Sequence, residues 1–405
     1  MLSRLDLKTS LGLALIVIGG IYLSGHSYSI IASTSVKIFM LMLCFVGCLL
    51  LNSKMGLPRH VTAPGILIFT ISVGSLLSFA FYPDKNSLVD PLLLIGIMIV
   101  SHMITKRISF DRFARLFSNL MLLLTGVAIA VWIMVASGLD VPGYSYISPN
   151  GFTYKTIWIC SWLESGNRFM GPFWESGLYA SFAVFAALLE MCFTGRKPRV
   201  PHILVFSIGV FLSMSTAGYL LLALVFYIAF RKSRSISYLW DLLVIALTVL
   251  GFIYLDQIFI FLYSINPDVF WKMVEGGVTL DTRLLSPYAC FEVFKENPAT
   301  GLGMSFAIEK FNIFKSILNI DSLTSTSIFM LAAFGVWGVS YTAAIGFAAF
   351  KQKDFSVVTR VFLLILLLAI VNKEPHYNLM ITYVIVFYLC QNSDSIKSNK
   401  LPAKK

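Results

Sequence analysis

MLLLTGVAIAVWIMV, residues Met121–Val135, contains no charged side chain and shows no alternation of polar and apolar positions. A second such run, LLVIALTVLGFIY, occupies Leu242–Tyr254. A stretch like this in lipid must satisfy its own backbone hydrogen bonds, so it must be a helix. The rest of the chain has the same character. Of 405 residues, 58% are hydrophobic and only 13% charged, and the mean hydropathy is +0.82. Soluble domains carry about 25% charged residues. A water-soluble globule of this composition would lack the polar residues to cover its surface. The missing alternation also argues against an outer-membrane barrel.

The sequence therefore predicts an all-α polytopic membrane protein, a single integral membrane domain over residues 1–405. Twelve spans are expected near 10–25, 35–51, 64–82, 89–104, 117–137, 174–194, 201–214, 216–230, 239–262, 326–350, 356–372 and 377–391. Pro201–Phe230 is divided in two because Ser213–Gly218 interrupts it, and because its length as one helix, about 45 Å, exceeds one crossing. Long connections are expected at 138–173 and 264–325, between spans five and six and spans nine and ten. Long loops in a compact protein are usually functional.

Charge sets the orientation. With the N-terminus inside, inner segments hold 21 of the 31 Lys and Arg residues, and the basic tail 392–405 is also inside. Both termini are then cytoplasmic, as Lys/Arg bias requires. Seven of the ten outer cations fall in the two long loops, where that bias carries little weight. The net charge of +11 is mostly topology. It calls for anionic lipid headgroups, not nucleic acid. Span one is read as a retained anchor, because Gly25-His26-Ser27 is a poor cleavage site. The six cysteines show no metal-ligand spacing, though Cys160 and Cys290 share the outer side and have the option of pairing. No phosphate-binding loop, dinucleotide glycine motif or HExxH occurs, which argues against a nucleotide-driven pump or a zinc protease. No cofactor is expected.

Chemistry-bearing residues gather on the expected outer face. Arg168 opens RFMGPFWESG, which also holds Gly171 and, just inside the lipid boundary, Glu175. A guanidinium forks onto phosphate oxygens, but an arginine here also suits headgroup snorkelling. Arg283 stands ahead of a short helical stretch that ends at Asn297-Pro298 and Gly301-Leu302-Gly303, where glycines permit a tight turn with N–H groups brought forward. Within that loop Tyr288, Phe291, Val293 and Phe294 alternate with charged residues, as on an interfacial helix. His376 lies in a polar knot, Asn372–Asn378, between two apolar helices. It is either a general base or a turn residue. Tyr144, Tyr146, Trp158, Trp162 and Trp271 suit sugar stacking or an interfacial belt.

Three of these blocks resemble the O-antigen ligase and polysaccharide polymerase superfamily. They are Arg168-Phe-x-Gly-x-Phe-x-Glu-Ser-Gly, then Arg283 with Asn297-Pro298 and Gly301-x-Gly303, then Thr324-Ser325 followed by Gly335-x-x-Gly338. Ser213–Gly218 is similar to the Ser/Thr-rich span between the first two. The resemblance runs from about Arg168 to Ala349. Ligases of that family carry a histidine where Thr324-Ser325 stands, and threonine cannot act as a base near neutral pH. The chain is thus similar to the Wzy-like polymerase branch.

That resemblance implies a GT-C-like arrangement of helices in the bacterial inner membrane, with the active site on the outer face. It implies a metal-independent glycosyltransferase that moves a growing glycan from undecaprenyl diphosphate to the next lipid-linked repeat unit. Lipid-linked oligosaccharides, membrane lipids, a chain-length regulator and a flippase are the partners it implies. Arg168 and Arg283 would hold the diphosphate, Glu175 or His376 would act on the acceptor hydroxyl, and Gly171, Thr324, Ser325 and Tyr288 would line the substrate site. The chemistry suits this, because a diphosphate leaving group is already activated. Two alternatives stay open: an O-antigen ligase, and a twelve-helix transporter or flippase of lipid-linked glycans. The unlike halves of the chain and its outer-face charges argue against a carrier.

Overall fold

The computed structural model of the chain describes residues 7–51, 62–83, 85–147, 153–163, 169–194, 196–233, 241, 260–261, 263–265, 278–320 and 322–391, with side chains except at 85–87 and 278–284. The helices are α1 Leu7–Tyr22, α2 Tyr28–Ile31, α3 Thr34–Leu50, α4 Ala63–Phe81, α5 Lys85–Arg107, α6 Phe110–Ala136, α7 Ser176–Cys192, α8 Val200–Leu212, α9 Thr216–Ser233, α10 Val278–Glu296, α11 Met304–Leu318, α12 Thr326–Phe334, α13 Val339–Phe350, α14 Val357–Lys373 and α15 Met380–Gln391. A helix stands at each expected span except 239–262, which lies almost wholly outside the described residues, as does the tail 392–405. Among the described residues, five helical stretches are long and apolar enough to cross a membrane: Ala63–Phe81, Leu88–Arg107, Phe110–Ala136, Thr216–Ser233 and Thr326–Phe350.

The apolar residues divide between an inside and an outside. In α7 and α15 almost every side chain is buried, whichever way it points. A helix apolar all round belongs in the centre of a bundle. Around them, α3, α4, α6, α8 and α9 turn Phe39, Phe69, Leu123, Phe211 and Leu220 outward, each more than half exposed. Large apolar faces of this kind are stable in lipid and unstable in water.

Two interruptions set the shape of the bundle. Ser213–Ser215 separates α8 from α9, with Met214 at φ 49°. The Ser/Thr-rich stretch thus breaks the helix where its sequence suggested. The second lies within the tenth expected span, where α12 stops at Gly335 (φ +62°) and a 3-10 turn, Gly335–Gly338, leads into α13. Here the Asn297–Gly303 turn docks. Leu302 N–H donates to Ala332 O at 3.1 Å and Gly303 N–H to Ala333 O at 2.8 Å, while Val336 N–H donates to Pro298 O at 2.8 Å. The turn thereby supplies donors to carbonyls that the broken helix leaves without partners. A side chain at Gly335 would collide with the Gly301 nitrogen and the Pro298 carbonyl, and one at Gly301 with the Ala333 carbonyl. The Leu302 and Gly303 N–H groups that the turn brings forward are therefore committed to the fold.

Two further expectations are corrected, and one open option is decided. The chain is mostly but not wholly helical, because the described residues of 138–173 include a three-stranded antiparallel sheet: β1 Tyr144–Ile147, β2 Thr153–Ile157 and β3 Cys160–Leu163. Arg283 is not ahead of the helix in the second loop but inside it, one turn before Pro287, which has no N–H for the Arg283 carbonyl. Cys160 and Cys290 are both buried free thiols, not a pair.

Candidate functional site

Five segments meet at one end of the bundle. The turn after α1 is drawn to the N-terminus of α15, where Met380 N–H donates to Leu23 O at 3.1 Å and Ile381 N–H to Ser24 Oγ at 2.9 Å. The same turn meets the entry to α7, with Trp174 N–H on Gly25 O at 3.1 Å and Ser27 N–H on Pro172 O at 3.0 Å. The sheet is joined by a buried hydroxyl cluster. Ser27 Oγ lies 3.0 Å from Thr156 Oγ1 and 2.7 Å from Ser161 Oγ, and these two are 2.8 Å apart. Their reciprocal bonds let three polar side chains be buried together at little cost.

His26 sits in this corner, fully buried. Its Nε2 meets Trp158 O, and its Nδ1 accepts the Tyr28 N–H at 3.2 Å. The ring is thus a neutral tautomer with one donor and one acceptor. Burial pushes its pKa down to about 4, against a smaller upward pull from the Trp158 carbonyl. A second proton on Nδ1 would also face the Tyr28 N–H.

The third motif block is held by the α14–α15 connection. Asn372 Oδ1 accepts the Ser327 N–H at 2.8 Å and the Ser325 hydroxyl at 3.2 Å, and its Nδ2 donates to Ser327 Oγ at 3.0 Å and Leu368 O at 2.9 Å. Asn372 therefore serves as the cap that the N-cap residue Ser325 does not supply to α12. Thr326 Oγ1 accepts the His376 N–H at 2.7 Å and donates to Glu374 O at 3.3 Å. Lys373, buried, donates to Gly177 O at 3.0 Å, and the end of the Glu374 side chain takes the space of a Cβ at Gly177, so a larger residue there would have to displace the carboxylate.

Thr324 connects this corner to α10. Its N–H donates to Ser286 Oγ at 3.0 Å, with both residues buried. Ser286 stands one helical turn after Arg283. The buried Thr324 Oγ1 has no hydrogen-bond partner among the described residues.

The expected site residues fall as follows. Thr324 and Ser325 lie inside this corner. Glu175 is the N-cap position of α7, half-buried, with no capping bond from its side chain. Gly171 (φ +57°) accepts the Ser161 N–H at 2.6 Å, and a side chain there would strike the Tyr179 ring. Its role is to close the sheet against α7. His376 is fully buried. Its Nδ1 is 2.8 Å from Thr382 Oγ1, its Nε2 has no partner among the described residues, and burial, aided by Lys373, holds its pKa down to about 3. It is a neutral ring in an enclosed position. Tyr288 is about half exposed on α10, beside Phe291. For Arg283 the structure describes only the helical backbone, and Arg168 lies outside the described residues, as does Trp271. Of the other aromatics, Tyr144 and Trp158 are exposed while Tyr146 and Trp162 are buried.

Sequence reasoning passed over Ser286, and it noted Asn372 and the Lys373-Glu374 pair only as part of the polar knot around His376. Adjacent charges between two apolar runs were a usable signal for that pair. Asn372 and Ser286 gave none, because their partners are 45 and 38 residues away.

No family model, curated protein or solved structure matches this chain.

Proposed function

We propose that the chain is a lipid-linked polysaccharide polymerase that transfers a growing glycan from undecaprenyl diphosphate to the next lipid-linked repeat unit. One observation carries the reading: three motif blocks far apart in sequence come together. The Thr324–Ser286 bond joins the third block to the helix bearing Arg283. Asn372, Lys373 and Glu374 join it in turn to Glu175-Ser176-Gly177 of the first. Arg168 stands seven residues before Glu175. In this reading twelve spans put the corner on the outer face of the inner membrane, where undecaprenyl-linked units are presented.

The division of labour follows from charge and access. Arg168 and Arg283 neutralise the departing diphosphate, which needs permanent positive charge and forked donors. Glu175 is the group for the acceptor hydroxyl, because it is only half-buried and a proton acceptor must be within reach of the substrate. His376 ties α12 to α15, its backbone N–H on Thr326 and its ring on Thr382. The expected independence of metal follows from an already activated leaving group.

The test is purified, reconstituted protein supplied with lipid-linked repeat units. A ladder of lengthening chains on the carrier, insensitive to chelation, is the expected result. Transfer to lipid A core without lengthening would make the chain a ligase, and movement of units across the bilayer without transfer would make it a transporter.

A further inference from the structure

The opposite end of the bundle holds a feature that this reading does not use. A cavity of about 570 Å³ opens between α7, α9 and the connection from α7 to α8, lined by Met191, Pro198, Phe226, Ala229, Phe230 and Ser233, with Lys232 at its edge. Such a volume falls in the range of about 300–1,000 Å³ typical of small-molecule sites. Phe226, Ala229, Phe230 and Ser233 are spaced three, four and seven residues apart, which places them on one face of α9. Phe226 and Phe230 are 38% and 49% exposed, so part of this apolar strip faces outward.

The charges beside it say what covers it. Lys232 lines the cavity, and Arg196 and Lys197 directly precede the lining residue Pro198; all three are exposed, and none has a carboxylate partner among the described residues. The nearby acids are already engaged. Glu190 takes Arg199 in a fork, Nε to Oε1 at 2.8 Å and Nη2 to Oε2 at 2.7 Å, and Asp241 pairs with Arg231 at 2.8 Å. Lys232 is held over the opening by the Cys192 carbonyl and by the Phe355 ring, whose centroid is 5.3 Å from Nζ. An apolar groove between helices that ends in uncompensated cations matches a ligand with a long hydrocarbon chain and an anionic head.

We propose that this groove binds one anionic phospholipid, its acyl chain along Phe226, Ala229 and Phe230 and its phosphate at Lys232, Arg196 and Lys197. The site is independent of the proposed activity and lies at the other end of the molecule.

Full-length protein in nanodiscs of phosphatidylglycerol and phosphatidylcholine mixed equally, delipidated stepwise and weighed by native mass spectrometry, tests this. Phosphatidylglycerol should be retained selectively at one copy per chain. Removing two of the three exposed cations in Arg196→Gln/Lys197→Gln should weaken that retention by roughly 10- to 30-fold. Ala229→Trp, which fills the groove from one side, should abolish it while leaving all three cations in place. Equal retention of the two lipids by the unaltered chain would overturn the proposal. So would unchanged selectivity in both variants, or a polyprenyl phosphate recovered in place of phospholipid.

Discussion

Thr324 gives its backbone N–H to the hydroxyl of Ser286 at 3.0 Å, and this bond ties a loop residue to a helix 38 positions earlier in the chain. Both ends of the bond are buried, so water cannot replace either. Ser286→Ala strands the Thr324 N–H and should lower stability by about 1–3 kcal/mol. It should also loosen the register between α10 and α12. Thermal unfolding in detergent checks the first effect. A melting profile equal to that of the parent chain would mean that Thr324 finds another acceptor and that the link is dispensable.

The docking of the Asn297–Gly303 turn into the break after α12 gives a second prediction. Gly301 and Gly335 both have positive φ, and each leaves room for the other's backbone. Alanine at either position forces the two segments apart and should cost about 2–4 kcal/mol from strain and lost bonds. Because both act on one contact, the double variant should be little worse than either single one. Full additivity of the two losses would count against a shared lock.

Asn372 offers a test of how α12 is held. It makes four hydrogen bonds through one side chain, three of them to Ser325 and Ser327. Asn372→Ala should destabilise by about 1–3 kcal/mol, a lost cap plus buried groups left unpaired. Asn372→Asp keeps the acceptor for the Ser327 N–H and should recover part of the loss. If aspartate were as damaging as alanine, the capping bond would not be the important one.

The two buried histidines predict a pH dependence. Burial lowers His26 to about 4 and His376 to about 3, from an ordinary value of 6.5. Both rings stay neutral in the folded protein while the unfolded chain takes up protons below pH 6.5. Stability should therefore be flat above about pH 7 and fall as pH drops from about 6.5 toward 4. Well inside that window these two rings contribute a slope approaching two protons, about 2.7 kcal/mol per pH unit. His26→Gln should remove about half of that contribution, read from melting temperatures between pH 6 and 5. A slope unchanged by that substitution would show that His26 protonates without opposition.

How much of this was legible beforehand depends on the range of the interactions involved. The helices were, because absence of charge over a span-length run is a local property, and so was the break at Ser213–Ser215. The small sheet was not. Its strands are four or five residues long and lie in a loop already assigned by its length, so Tyr144–Ile147 and Thr153–Ile157 gave too little alternation to stand out. Thr324 and Ser325 were singled out through the family resemblance. Asn372 and Ser286, which hold them, were not, since hydrogen bonds between distant positions leave no periodic trace. Arg283 gave a chemical signal without a helical one, because Pro287 disguises the helix that carries it.

The proposed activity rests most heavily on Arg168 and Arg283, which are required to share one diphosphate. Near lipid each charge-assisted bond contributes about 1.5–3 kcal/mol, and lysine keeps the charge but loses the fork. The decisive measurement is the length of glycan made from lipid-linked repeat units by Arg168→Ala, Arg283→Ala and the two lysine variants, at matched expression. The account predicts single units left on the carrier in both alanine variants and shortened or scarce polymer in both lysine variants. Full-length polymer from both alanine variants would contradict it and leave the two arginines as membrane-surface charges.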